Sequence, residues 1–93
     1  MPTAPLVPPV LYLPLMEHPQ GGQYAIVREL SDRRKGLVAY TALDRLADQC
    51  GANQPWVLVP TAELGRIREE QPFDLVLFDI DVPASKVVNG RIA

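Results

Sequence analysis

Two carboxylates, Asp79 and Asp81, stand at the end of an apolar run, "DLVLFDIDVPAS", from Asp74 to Ser85. An apolar strand ending in Asp-x-Asp can do phosphoryl transfer. Two carboxylates at that spacing are candidates for nucleophile, general acid and Mg²⁺ ligand. The chain carries one histidine, His18, beside Glu17 in "EHPQGG". A lone histidine with no second His or Cys nearby lacks metal-site spacing, so such a site would need carboxylates or another subunit. Cys50 falls late on an apolar helical stripe, where the helix dipole disfavours thiolate, and reads as a core thiol.

The Asp79/Asp81 spacing resembles the opening motif of haloacid-dehalogenase phosphatases and the metal motif of glycosyltransferases. Three features oppose a catalytic reading. Pro83 stands where the phosphatase motif has Thr or Val. Only 12 residues follow Asp81, whereas the remaining hydroxyl, lysine and acidic motifs of those enzymes lie downstream. Their fold also needs this strand at its beginning. The expected role of the pair is structural, at the exit of a strand, where acids are solvated or cap backbone groups. No cofactor or metal is implied.

Binding residues are a separate matter. "RELSDRRKG" gathers Arg28, Arg33, Arg34 and Lys35 at one hairpin tip, able to touch phosphate or an acidic protein surface. Glu29 and Asp32 partly neutralise the cluster, and no aromatic interleaves for base stacking. Trp56 is the one tryptophan, a residue type that anchors interfaces. At the N-terminus, Leu6, Val7, Pro8 and Pro9 end a proline-rich stretch suited to lying on another surface. Six of the ten prolines fall in the first 19 residues, so this segment cannot be a helix. Residues 1–9 are expected to form an extended arm that contacts a partner or a second copy.

These residues must be positioned by a small body. Ninety-three residues make one domain, and 47% hydrophobic with 22% charged residues allows one core without a deep substrate cavity. A net charge of −2 argues against a general nucleic-acid binder. No apolar run approaches the length of a membrane span. The N-terminus lacks a basic region and its apolar stretch is broken by proline, which makes a poor signal peptide. A single cysteine cannot form an internal disulfide, and a cytoplasmic protein is expected.

The elements follow from periodicity. "VLYLPL" (10–15) reads as a strand that Pro14 assigns to an edge or bulge. "QYAIVREL" (23–30) alternates, and "LVAY" (37–40) is a third strand after the charged loop, completing an antiparallel meander. "TALDRLADQCG" begins with Thr41 as N-cap. Leu43, Leu46, Ala47 and Cys50 form its stripe, and Gly51 is its C-cap. "WVLV" (56–59) is a strand, and a second helix starts at Thr61, with Leu64 and Ile67 inward, ending at Pro72. "FDLVLFDIDV" (73–82) is apolar on both faces through Phe78 and is expected in the middle of the sheet. The order β-β-β-α-β-α-β predicts an α/β (α+β) fold. Its sheet is expected to be mixed and five-stranded, with right-handed crossovers to parallel neighbours and both helices on one face. Residues 10–82 form the domain. In the tail, 83–93, no period is clear, and "KVV" is a candidate edge strand.

"LYLPL", then "VAYTALDRLADQC" with its aromatic residue before a helix cap, then "WVLVPTAEL" and an apolar strand, resemble the SseB N-terminal-like domain. That domain occurs in small bacterial proteins of unassigned function. The resemblance covers roughly residues 10–82 and rests on fold signatures. It implies a module acting through protein contacts, with no catalytic set to carry over. Three functional readings stand. The first is a non-enzymatic protein-interaction module or small accessory subunit of a larger bacterial complex, with a hetero-complex or homodimer as its context. The second is a small Mg-dependent phosphoryl-transfer or hydrolase enzyme using Asp79 and Asp81. The third is a weak nucleic-acid binder through the 28–35 hairpin.

Overall fold

A computed structural model describes residues 8–92. The class is α+β. The strands are β1 (Val10–Glu17), β2 (Gln23–Ala25), β3 (Val27–Glu29), β4 (Lys35–Ala39), β5 (Trp56–Pro60), β6 (Leu75–Phe78), β7 (Val87–Val88) and β8 (Arg91–Ile92). The helices are α1 (Leu43–Cys50) and α2 (Leu64–Glu70), the latter entered through a 3-10 turn at Thr61–Glu63. In place of one five-stranded sheet there are three small ones, ordered β2-β1-β5, β3-β4-β6 and β7-β8.

The split has a local cause at Pro14. The β1–β2 hairpin pairs Leu15 with Ala25, Met16 with Tyr24 and Glu17 with Gln23. One step further, Pro14 would face Ile26. Proline has no N–H to give, so the ladder stops. The Ile26 carbonyl instead accepts from the Val38 N–H at 2.9 Å, and the strand passes from β1 to β4 at that residue. The two larger sheets are stitched again where Tyr12 and Tyr40 exchange N–H···O bonds of 2.9 and 2.8 Å. Pro14 therefore does not mark an edge strand. β1 is paired on both sides, and Pro14 is fully buried at the break.

The crossover expectation is also corrected. β4 and β6 are parallel neighbours, but α1 leads from β4 to β5 and α2 from β5 to β6. β5 lies antiparallel beside β1 instead. The meander leaves one side of β1 unpaired, and β5 fills it. β6, expected to be central, pairs with β4 alone and is partly exposed along its length.

The helices occupy opposite faces. Leu11, Leu13, Leu37 and Ala39 bury one cluster, against which Leu64 and Ile67 of α2 pack. Val38 and Tyr40 belong to a second cluster with Leu46 and Cys50 of α1, and Tyr12 packs against it. Successive strand residues point to opposite faces. Alternate residues of β1 and β4 thus serve different helices, which rules out both helices on one face.

The caps differ from expectation too. Neither Thr41 nor Thr61 is a side-chain N-cap. The Thr41 hydroxyl donates to Asp79, and the Thr61 hydroxyl to the Pro8 carbonyl. Gly51 does end α1, with φ 111° and its N–H on the Ala47 carbonyl at 2.9 Å. A side chain there would strike the Gly90 carbonyl.

The tail is a hairpin. β7 and β8 flank Asn89-Gly90, with φ of 54° and 76°. Positive φ at both central residues is what a type I′ turn requires. The hairpin is fixed to the body through Gln54, a buried amide. Its Oε1 accepts the Ile92 N–H at 2.7 Å, and its Nε2 donates to the Leu15 carbonyl at 2.8 Å. The second bond serves a carbonyl that Pro55, opposite it, cannot. Among the described residues, no helix is long and apolar enough to cross a membrane.

Candidate interaction surface

The Asp-x-Asp segment is docked on α1. Asp79 adopts φ 52° where the chain leaves β6. Its carboxylate accepts the Thr41 N–H at 2.9 Å, the Thr41 hydroxyl at 2.7 Å and Arg45 Nη1 at 2.8 Å. Burial pushes the Asp79 pKa up, but the hydrogen bonds from Thr41 and the Arg45 guanidinium outweigh it and hold the group below its ordinary value. Further along, Tyr40 Oη donates to the Ile80 carbonyl at 2.8 Å, and Gln49 Oε1 accepts the Val82 N–H at 2.9 Å. Arg45 and Gln49, four residues apart on one helical face, therefore hold the segment with Tyr40 and Thr41. Asp81 is exposed. Among the described residues, no group of three His, Cys, Asp or Glu side chains is placed to hold a metal ion.

Cys50 is fully buried, and burial raises its thiol pKa. The neighbouring Tyr40 hydroxyl is also raised, first by burial and then by its contact with Cys50. His18 stacks edge-on against Tyr24, with centroids 4.8 Å apart. Both line an open groove of about 520 Å³ with Leu13, Val57, Ile67 and Gln71.

The binding residues expected from sequence do not converge. Arg34 is engaged by Asp32 at 2.6 Å, and Arg33 sits at the hairpin tip with φ 69°. Leu6 and Val7 lie outside the described residues. Pro8 and Pro9 are described, and they extend β1 along the body: the Pro9 carbonyl accepts the Thr61 N–H at 2.9 Å. Of the expected set, Trp56 has the most suggestive surroundings.

Trp56 opens β5, the outer strand of its sheet. Trp56, Val57 and Leu58 are exposed by 42%, 40% and 47%, three consecutive large apolar residues. Trp56 also stacks edge-on against Tyr12 at 5.5 Å. Side chains on both faces of the strand are open. Val57 lines the groove on the α2 side, while Trp56 and Leu58 lie on the α1 side.

The backbone is open as well. The bonds Leu15 N–H to Pro55 O (2.8 Å) and Thr61 N–H to Pro9 O (2.9 Å) fix the phase of the β1–β5 ladder. Hydrogen-bonded pairs alternate in antiparallel sheets. Val57 and Val59 therefore bond to β1, while the N–H and C=O of Trp56 and Leu58 point away from it. Among the described residues, no strand pairs on that side. Such an edge is a template for strand addition, which charge or proline commonly blocks; proline stands only at the two ends of this run, at Pro55 and Pro60. Here "GANQPWVLVPTA", residues 51–62, contains no charged residue.

The sequence singled out Trp56 but missed Val57 and Leu58, because an apolar run reads as a buried strand. The available signal was the absence of charge around a run bounded by Pro55 and Pro60.

In comparisons with known proteins, no family model, no curated protein and no solved structure matches the chain.

Proposed function

We propose that this chain is a non-enzymatic protein-interaction module, a small accessory subunit of a larger bacterial complex, which associates by strand addition at β5. The observation that carries the reading is the β5 edge: outward-facing backbone groups at Trp56 and Leu58, with Trp56, Val57 and Leu58 exposed. Edge strands of this kind recruit extended segments, whose backbone supplies affinity while side chains supply specificity. The engagement of the Asp79 carboxylate by Thr41 and Arg45 supports a structural role for the Asp-x-Asp segment over phosphoryl transfer. The pairing of Arg34 with Asp32 weakens the basic hairpin as a nucleic-acid surface. A cytoplasmic setting accords with the unpaired, buried thiol of Cys50. The bacterial context comes from the resemblance to the SseB N-terminal-like domain.

Leu58→Pro tests the reading. The Leu58 N–H faces outward, so proline there removes an outward donor without breaking the β1 ladder, a placement edge strands tolerate. The expected result is unchanged circular dichroism, with loss of the proteins that the tagged wild type retains from cell extract. Retention of the same proteins by a folded Leu58→Pro variant would remove β5 as the contact. A Mg²⁺-dependent phosphatase activity lost in Asp79→Asn would replace the reading with the enzymatic one.

A further inference from the structure

The β5 edge has a symmetry of its own. Its outward donors are the N–H groups of Trp56 and Leu58, one on each side of Val57. Beyond them the supply ends on both sides. Pro60 has no N–H, and the Gln54 N–H is turned back to the Gly51 carbonyl at 3.2 Å. An occupant longer than this patch finds no further donors. A second β5, laid antiparallel and centred on Val57, matches it. Trp56 then exchanges both bonds with Leu58 of the second copy, and Leu58 with its Trp56, which makes four hydrogen bonds in all. Every outward donor is used and none is missing.

The side chains fit the same register. Directly opposed residues share a face. Trp56 therefore meets Leu58 of the second copy on the α1 side, twice by symmetry, and Val57 meets Val57 on the α2 side. Charge is consistent as well. Residues 51–62 carry none, so two identical edges approach without repulsion, and nothing there would steer a charged foreign strand. Antiparallel pairing of identical strands closes on a two-fold axis and uses both β5 edges, so the contact does not propagate.

We infer that the occupant of the β5 edge is a second copy of this chain, paired β5 to β5 about Val57. The inference rests on the reading of β5 as an association edge and names its partner. Val57 pairs with itself in a non-hydrogen-bonded position, where Cα atoms lie about 4.5 Å apart. That spacing admits a disulfide.

The test uses the purified full chain in sedimentation equilibrium, with circular dichroism to confirm that each variant is folded. Wild type is expected to show monomer–dimer exchange. Val57→Lys and Val57→Glu should each weaken self-association by more than about tenfold, because like charges then oppose each other at the axis. Mixing the two variants should restore a dimer. Val57→Cys should form a disulfide-linked dimer under mild oxidation, whereas wild type should not, since Cys50 is buried. A wild-type dimer that survives Val57→Lys places the self-contact elsewhere and overturns the inference, while the edge reading then stands or falls with the Leu58→Pro retention test. A wild type that stays monomeric, while still retaining other proteins in a Leu58-dependent way, overturns the second copy as occupant and leaves the edge reading standing.

Discussion

β4 and β5 are both five-residue strands with an apolar Leu/Val run, and they are opposite in circumstance. "GLVA" in β4 is buried at every residue, paired to β3 and β6, and sandwiched between two clusters that draw alternate side chains. "WVL" in β5 is exposed at every residue and paired on one side only. The difference teaches how an apolar run should be weighed. In β4 the run is accounted for by the core on both faces. In β5 the body leaves Trp56 and Leu58 nearly half exposed, and Val57 faces an open groove. Three consecutive apolar residues left exposed on one edge strand are the feature on which the proposed association rests.

The comparison can be broken most severely at Leu37. Leu37→Ala removes a fully buried side chain from β4 and is expected to cost about 2–5 kcal/mol, as large-to-small core changes do. Thermal or urea unfolding measures it. A loss no greater than that of an exposed residue would mean that β4 is not the centre of the fold.

Next is Gly36→Ala. An added Cβ would lie 2.6 Å from Leu77 Cγ on β6, so either the Leu77 side chain or the parallel pairing must shift. The expected cost is about 1–3 kcal/mol, typical of overpacking. A neutral result would show β6 to be loosely held.

Asp79→Asn probes the joint at which the β6 exit is tied to α1. It should cost about 1 kcal/mol by weakening charge-assisted bonds from Thr41 and Arg45. The acid dependence has a definite sign. The folded pKa of Asp79 lies below its unfolded value, so its contribution is complete above about pH 4 and is lost as pH falls through the folded pKa. Wild type should lose stability in that window more steeply than Asp79→Asn. Parallel acid unfolding curves for the two proteins would refute the assignment.

The smallest effect belongs to Leu58→Ala. Leu58 is nearly half exposed, so the monomer should lose no more than about 0.5 kcal/mol. Its association should weaken all the same. A variant as destabilised as Leu37→Ala would abolish the contrast between the two strands.

Much of this architecture was legible in the residues. The Leu46 and Cys50 stripe and the Gly51 terminus specify α1 through period and glycine chemistry. The meander follows from alternation and its turns. The candidate site was legible in part, through Trp56. In the tail, "KVV" was legible as a strand, but the hairpin was missed although Asn89-Gly90 is a turn signal; strands of two residues give too little period to register. Pro14 was read by rule as an edge signal. Its real effect depends on which carbonyl would have faced its missing N–H, and that is a property of register.

The sequence by itself determined the order of the main helices and strands, the end of α1 at Gly51, and that Cys50 and Leu46 share a face, because these depend on neighbours along the chain. Tertiary structure alone decided that β5 joins β1 while β6 joins β4, that the helices take opposite faces, that Asp79 clasps Thr41 and Arg45, and that Trp56, Val57 and Leu58 are left at an open edge. Those outcomes depend on which backbone groups remain unpaired after other strands have met, and residues far apart in sequence settle that together.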